Sequence, residues 1–433
     1  MKQQRIGRLM ARIAVTGALA CGITGAGLSA FTAGAAFAAG TTLYVGAAAG
    51  GDTGCSSPGY TTVQGAVNAA TPGDTVYLCG TTPFREQVII TKSITLTGDS
   101  GATIAAPNPW VASADPLPPQ FTSDGLLVPQ AIVVAWGHGV HVTIGGLTIT
   151  GPLPGDGGCG SDEYGILVID GASAQIAHDA VTNIKDASSS LYGCQFGVGI
   201  EVGSQYWPTP GYATQKLENF TGTATITRTT VSGYQKGGLV IDGPGSSGYV
   251  SGDTVTGAGP SSALGTAIAQ NGVQVTDGAN AQILDNTVSA NQYSGGGYAS
   301  SAGILIFGGC GTPLERNVQV AGNTLTNNDV GVYLWNGSPD PSCTVTPSTI
   351  TGDVVTDNRI SDSAVTNTSG QSTSPLCGYQ AGIQEFGNHD VITFNHVDGA
   401  GYQNHPTCTV AQPYVTYKID TRGSADPIVL LND

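Results

Sequence analysis

From Gly165 onward the chain alternates apolar and permissive positions in short bursts, each opened by a glycine. The copies are Gly165-Ile166-Leu167-Val168, Gly199-Ile200-Glu201-Val202, Gly238-Leu239-Val240-Ile241, Gly272-Val273-Gln274-Val275, Gly303-Ile304-Leu305-Ile306, Gly331-Val332-Tyr333-Leu334 and Gly382-Ile383-Gln384-Glu385. The first and third residues after each glycine are apolar except at Glu385, and the second varies freely. Period two with one permissive face predicts a strand with one side on a core and the other facing water. After each burst comes a second unit: apolar, two variable residues, a polar residue, one variable, apolar. Its copies are Ile176-Asp179-Val181, Ile226-Thr229-Val231, Val250-Asp253-Val255, Ile283-Asn286-Val288, Val320-Asn323-Leu325, Val355-Asn358-Ile360 and Ile392-Asn395-Val397. The recurring polar residue, most often Asn, suits a bend because its side chain can bond backbone amides. Stacked coil on coil, these residues predict a ladder of amides running along the stack.

Short strands, a polar bend and loops of variable length specify an all-β chain, a single-stranded right-handed parallel β-helix solenoid. Its hand follows the strand-crossover rule. Consecutive starting glycines lie 28 to 51 residues apart, so several coils carry inserted loops. The N-terminal part differs. Tyr60–Ala70 reads as one amphipathic helix with Val63, Ala66, Val67 and Ala70 on a single face, ended by Thr71-Pro72-Gly73-Asp74. A short helix there caps the open end of the stack. Thr75–Leu78 and Gln87–Ile90 then begin the strands. The expected organisation is a cap over 42–80, coils over 85–400 and a C-terminal extension over 401–433.

Composition sharpens this picture. The 433 residues include 65 Gly, only 10% are charged, and 40% are hydrophobic. Glycine has no every-third-residue rule, which excludes collagen. The first twelve residues carry Lys2, Arg5, Arg8 and Arg12, an uncharged stretch runs from Ile13 to Ala39, and Ala36-Phe37-Ala38 is a small-x-small signal. A secretory leader over 1–38 with cleavage after Ala38 is expected. An uncleaved anchor and lipoprotein processing at Cys21 are the alternatives. Losing four cations takes the net charge from −16 to −20. That excludes nucleic-acid and anionic-lipid binding through a basic patch, and no later segment is apolar enough to span a bilayer. A monomer is expected.

Several segments carry a family resemblance. Thr61-Thr62-Val63-Gln64-Gly65-Ala66-Val67-Asn68-Ala69-Ala70, Pro72-Gly73-Asp74-Thr75-Val76, Arg85-Glu86-Gln87-Val88 and Ile94-Thr95-Leu96-Thr97-Gly98 resemble the opening of pectin-lyase-like right-handed β-helix proteins. That superfamily includes pectin methylesterases, polysaccharide lyases, polygalacturonases and NosD-type repeat proteins. With the repeats, the resemblance covers about residues 42–400. It implies a secreted protein whose partner is a polysaccharide or other glycan. It does not supply an activity, because a fold does not fix one. The methylesterase strings Gln-Asp-Thr-Leu and Asp-Phe-Ile-Phe-Gly are absent. Gly137-His138-Gly139 matches one polygalacturonase motif, but without Asp-Asp or Arg-Ile-Lys it reads as a turn. A lyase needs a base near Ca²⁺ held by acids, and the five lysines after the leader stand beside no acidic cluster. Ca²⁺ is the one cofactor the resemblance brings into play. Asp156, Asp162 and Glu163 around Cys159 are its candidate loop, without EF-hand spacing.

Register supplies further candidates, since equal offsets in successive coils become neighbours about 4.8 Å apart. Four residues after the glycine, the last three coils carry Phe307, Trp335 and Phe386, an outward aromatic row on which sugar rings can stack. Tyr333 and Gln384 flank it. The alternative is a loop folding over the row and burying it. On the other strand, His178, Arg228, Asp285, Asp357, Arg359, Phe394 and His396 flank the polar ladder. Asp357, Arg359 and His396 are the candidate acid–base group, with a surface ion pair as the alternative and His389-Asp390 nearby. Without Cys21, eight cysteines remain. Register pairs them sequentially as Cys55–Cys79, Cys159–Cys194, Cys310–Cys343 and Cys377–Cys408. Two functions fit: a lyase or hydrolase on an extracellular polysaccharide, and a non-catalytic surface or matrix protein that binds glycan or a protein partner.

Overall fold

Each coil of the chain contributes one strand to each of three parallel sheets, and a computed structural model shows how the repeats close. It describes residues 40–47, 54–110, 130–154, 159, 163–206, 218–295, 299–308, 314–336, 350–367, 379–402, 417–421, 424 and 426–433. The glycine-led bursts form a ten-stranded front sheet, from Val88–Ile90 to Tyr417–Asp420. The strands after it, Ala172–Ala177 in one coil and Gly222–Thr227 in the next, belong to a twelve-stranded second sheet. Three-residue strands such as Ala180–Thr182 and Thr230–Ser232 form a ten-stranded third sheet. The result is the expected single-stranded right-handed β-helix. Its first strand is Thr42–Val45, which pairs with Thr75–Leu78 before any coil is complete. The helix is shorter than its apolar period, spanning Val63–Ala69, because Thr62 caps it by accepting from the Gly65 amide. Val63, Ala66 and Val67 are buried as expected.

One continuous core fills the tube, with Ile166, Val168, Ile176 and Val181 as one coil's share. The starting glycines are needed for packing. They lie opposite the next coil's carbonyl and a branched side chain of the third sheet. A Cβ on Gly199 would stand 2.5 Å from the Gly238 oxygen and 2.6 Å from Val231 Cγ1. One on Gly272 would stand 2.6 Å from the Gly303 oxygen and 2.5 Å from Val288 Cγ1. A glycine at each of these positions is therefore a requirement of coil spacing.

The polar ladder forms and is longer than the repeats suggest. Backbone amides of Leu147, Asp179, Thr229, Asp253, Asn286, Asn323, Asn358 and Asn395 each donate to the next coil's side chain, ending at Asn432. Asn323 also donates its amide to the Ile283 and Ala321 carbonyls and to Asn358 Oδ1. The residue before each rung takes left-handed backbone geometry: His178 at φ 61°, Arg228 at 52°, Asp285 at 57°, Asp357 at 56° and Phe394 at 59°. Replacing Asn323 by Ala strands two carbonyls and leaves the Asn286 amides without their acceptor. Urea unfolding is expected to show a loss of about 3 kcal/mol.

Cys55–Cys79 and Cys159–Cys194 are disulfide-bonded, as register predicts. Cys310, Cys343, Cys377 and Cys408 lie outside the described residues, as does the expected leader. No helix among the described residues is long and apolar enough to cross a membrane.

Candidate functional site

The outer face of the front sheet changes character along the stack. Near its start it is apolar, built of Ala131, Val134, Trp136, Tyr164, Leu167 and Ile169. Near its end a second cluster gathers Ala302, Leu305, Val330, Tyr333, Tyr379 and Ala381, with Trp335 and Phe386 packed against it. Between them lies a cavity of about 220 Å³ whose polar lining includes Glu163, Glu201, Ser204, Lys236, Asp242, Gln274, Thr276 and Asp277.

Register explains how these side chains meet. Leu167, Glu201, Val240 and Gln274 are successive partners at the permissive offset, two residues after the glycine. Asp242 stands two residues beyond Val240 on the strand beside Glu201, and it pairs with Thr276. Strand spacing and rise put the Glu201 and Asp242 backbones about 8 Å apart, on the same face. Glu163, Gly197 and Lys236 occupy one column at the strand entries: the Gly197 amide donates to the Glu163 carbonyl and the Lys236 amide to the Gly197 carbonyl. Gly197, at φ 82°, leaves this column without a side chain between the carboxylate and the ammonium. Lys236 Nζ donates to the Ala269 carbonyl at 2.8 Å. Burial lowers its pKa to about 8, so part of the amine is neutral near physiological pH. Glu163, Glu201 and Asp242 are all buried in the lining. Such a set can donate and accept protons around a bound ligand.

The aromatic residues chosen from the sequence lie on this same face. Phe307 is the register partner of Thr276 and is 39% exposed. Trp335 follows it one coil on, and its ring lies 5.4 Å from Phe386 and 5.1 Å from Tyr333. Tyr333 is buried, and burial together with Asp420 raises its phenol pKa. Gln384 is buried as well. Phe307 thus remains open beside the cavity, while Tyr333 supports the half-buried rings from below.

Asp357, Arg359 and His396 sit elsewhere, on the outer side of the third sheet and its leading bend. Arg359 and His396 are register partners, and all three side chains are exposed. Asp357 accepts from the Thr356 hydroxyl at 3.3 Å, and His396 Nδ1 lies 3.1 Å from Asp433. None of the three lines the cavity. Gly137-His138-Gly139 is a tight turn after the strand Gln130–Trp136, and His389 lies beside the Asn388 side chain. Asp156 and Asp162 lie outside the described residues. Among the described ones no three His, Cys, Asp or Glu side chains form a metal-holding group, so no step is assigned to Ca²⁺. The offset rule itself could have found the cavity. The offset that gives Phe307 and Trp335 gives Asp242 and Thr276 two coils earlier, and the neighbouring one gives Glu201 and Gln274.

The family model described as the right-handed β-helix region matches residues 131–350. No curated protein sequence matches the chain. Among solved structures, an alginate lyase from Paenibacillus sp. is 15% identical with a TM-score of 0.42, covering 77% of this chain and 99% of its own. The pectin methylesterase of Aspergillus niger is 12% identical at a TM-score of 0.35, with coverage of 88% and 96%. DFA-IIIase from Arthrobacter chlorophenolicus, without its lid, is 15% identical at 0.38, with coverage of 90% and 94%. Likeness of this degree concerns the coil architecture and is silent on activity.

Proposed function

The chain belongs to the right-handed β-helix family, and from that premise we propose that it binds and cleaves an extracellular polysaccharide in the front-sheet groove. One observation carries the proposal: Glu163, Glu201, Lys236 and Asp242 converge in a single cavity on a face that carries an apolar cluster towards either end. Ionisable side chains are costly to bury, and their concentration in one concave site is the pattern expected of acid–base work. Glu201 and Asp242 are the acid–base pair, and Phe307 is the platform on which the neighbouring sugar stacks. The two disulfides and the expected leader favour an extracellular setting.

Incubation with a panel of polysaccharides tests this. New chain ends should appear. Glu201→Gln and Asp242→Asn should each lower kcat by about 100-fold or more, with the far-ultraviolet circular dichroism of the parent. Glycan binding that weakens in Trp335→Ala, with no product from the parent, would instead make the chain a non-catalytic binder. The half-buried rings of Trp335 and Phe386 already provide for that second function.

A further inference from the structure

Resting on the groove proposed above, we infer that its polysaccharide carries no acidic groups at the bound sugars, and that the glycosidic bond is broken by hydrolysis. The groove's charge is the first reason. Glu163, Glu201, Asp242 and Asp277 line it, with Lys236 as the one cation among its described lining residues. One of that ammonium's three donors is taken by the Ala269 carbonyl, and burial holds its pKa at about 8. Carboxylate ligands are recognised best by the planar fork of arginine, and no arginine is among the described residues that line the cavity. A uronate would bring its carboxylate among four acidic side chains, and those of them that are ionised repel it strongly in a partly desolvated site.

The rest of the molecule adds to this. A polyuronate carries a negative charge on every sugar, and the chain without its leader has a formal net charge of −20, strongly negative even with its buried carboxyls protonated. The long-range field therefore slows the approach of such a polymer and raises the local concentration of neutral or amino-sugar chains by comparison. Neutral lining groups complete the match: Ser204, Gln274 and Thr276 offer hydroxyl and amide partners for sugar hydroxyls.

Substrate class then decides the chemistry. β-Elimination removes a proton beside a uronate carboxylate whose charge must be neutralised. A sugar without that carboxylate offers no such proton. Hydrolysis needs only what the groove holds. One carboxylic acid gives its proton to the leaving glycosidic oxygen as the bond from that oxygen to the anomeric carbon breaks. The other carboxylate takes a proton from the water whose oxygen bonds that carbon. One water is consumed for each bond cleaved, and no oxidant, reductant or metal enters the balance.

The experiment compares two sets of polymers with the full-length secreted protein at low salt. Polygalacturonate and alginate form one set; xylan, β-glucan, galactomannan and chitosan form the other. The expected result is cleavage confined to the second set, with products one water heavier than the linkage broken and no unsaturated-uronate absorbance. Gln274→Arg adds a guanidinium to the groove and is expected to raise affinity for oligogalacturonate at least tenfold. Preferred binding or cleavage of polygalacturonate or alginate by the parent protein overturns the inference and leaves the groove as the site. Failure to bind or cleave either set overturns both the groove's function and the inference.

Discussion

Gly331→Val is expected to lower the unfolding free energy by about 4 kcal/mol or more, a loss reached only by a few mechanisms such as core overpacking. A Cβ at Gly331 would lie 2.4 Å from the Gly382 oxygen and 2.4 Å from Ile360 Cγ2. Neither neighbour can retreat. The carbonyl belongs to the next strand of the front sheet, and Ile360 is a buried member of the core. Relief would require separating two coils whose strands remain paired on either side of the contact. Solenoids lose cooperativity when one interface fails, so damage should be local at first. Limited proteolysis of the variant should cut within the coils after residue 331 while the N-terminal coils stay protected. Thr324→Val, on the exposed face of the third sheet, should change stability by less than about 0.5 kcal/mol. Equal stability of the Gly331→Val protein and the parent would show that the glycine column is a matter of turn propensity alone.

Stability should also fall steadily as pH rises from about 4, the reverse of the behaviour of proteins held by salt bridges. Eight carboxyls are pushed above their ordinary values chiefly by burial: Asp179, Asp253, Glu315, Asp329, Asp353, Asp362, Glu385 and Asp390. Asp179, Asp253 and Asp362 reach about 7. The folded state therefore holds protons that the unfolded chain releases. Stability from these groups is complete below the ordinary carboxylate value and is lost as pH climbs through the raised folded values. Each retained proton contributes about 1.4 kcal/mol per pH unit across its window. For the three aspartates the window runs from 3.8 to about 7. For Glu385 and Asp353, which also repel Asp390, it extends past neutrality. Asp74 and Asp99 oppose this below pH 3.8, since the Thr71 and Gly80 amides lower them.

Calorimetry should show Tm falling by at least about 5 °C between pH 5 and pH 9. Glu385→Leu should flatten the alkaline part of the curve. Glu385 is the register partner of Leu334, at an inward position, and is fully buried beside Asp390. A leucine there continues an aliphatic column and removes a group that must otherwise keep its proton. A parent Tm that rises with pH, or a variant with the parent's slope, would refute this account.

Much of this architecture is legible in the residues themselves. The glycine-led bursts and the Asn column identify the sheets and the ladder because each repeats at a fixed offset. Glu385 stands out in the sequence as the lone exception to the inward apolar rule, and the structure gives that exception its meaning: a carboxyl inside the tube. The left-handed bend before each rung is less legible. Gly252 and Gly322 suit that geometry, but Arg228 and Phe394 occupy it because the ladder fixes the next residue. Asp357, a candidate acid–base residue in the sequence, stands at the same bend, where its position reports a backbone need as much as a chemical one. The groove was half legible. Glu201 and Asp242 lie at offsets that repetition marks as outward. Glu163 and Lys236 share a third offset, two residues before the starting glycine, but Gly197 interrupts that column and hides it from a search for repeated side chains.

The ladder also gives the molecule a mechanical seam. Every rung lies along the axis, so a pull on the two ends loads the rungs in series, and the chain of bonds is only as strong as its weakest link. Seven of the eight amide rungs span 2.7–3.1 Å. The eighth joins the Asp179 amide to the Thr229 hydroxyl at 3.5 Å. The Cys159–Cys194 disulfide bridges the entries of the same two coils, so the longest rung lies where a covalent bond also carries the load. That bond sits just before Glu163 in one coil and Gly197 in the next, so a stretched molecule keeps Glu163 beside Glu201, Lys236 and Asp242.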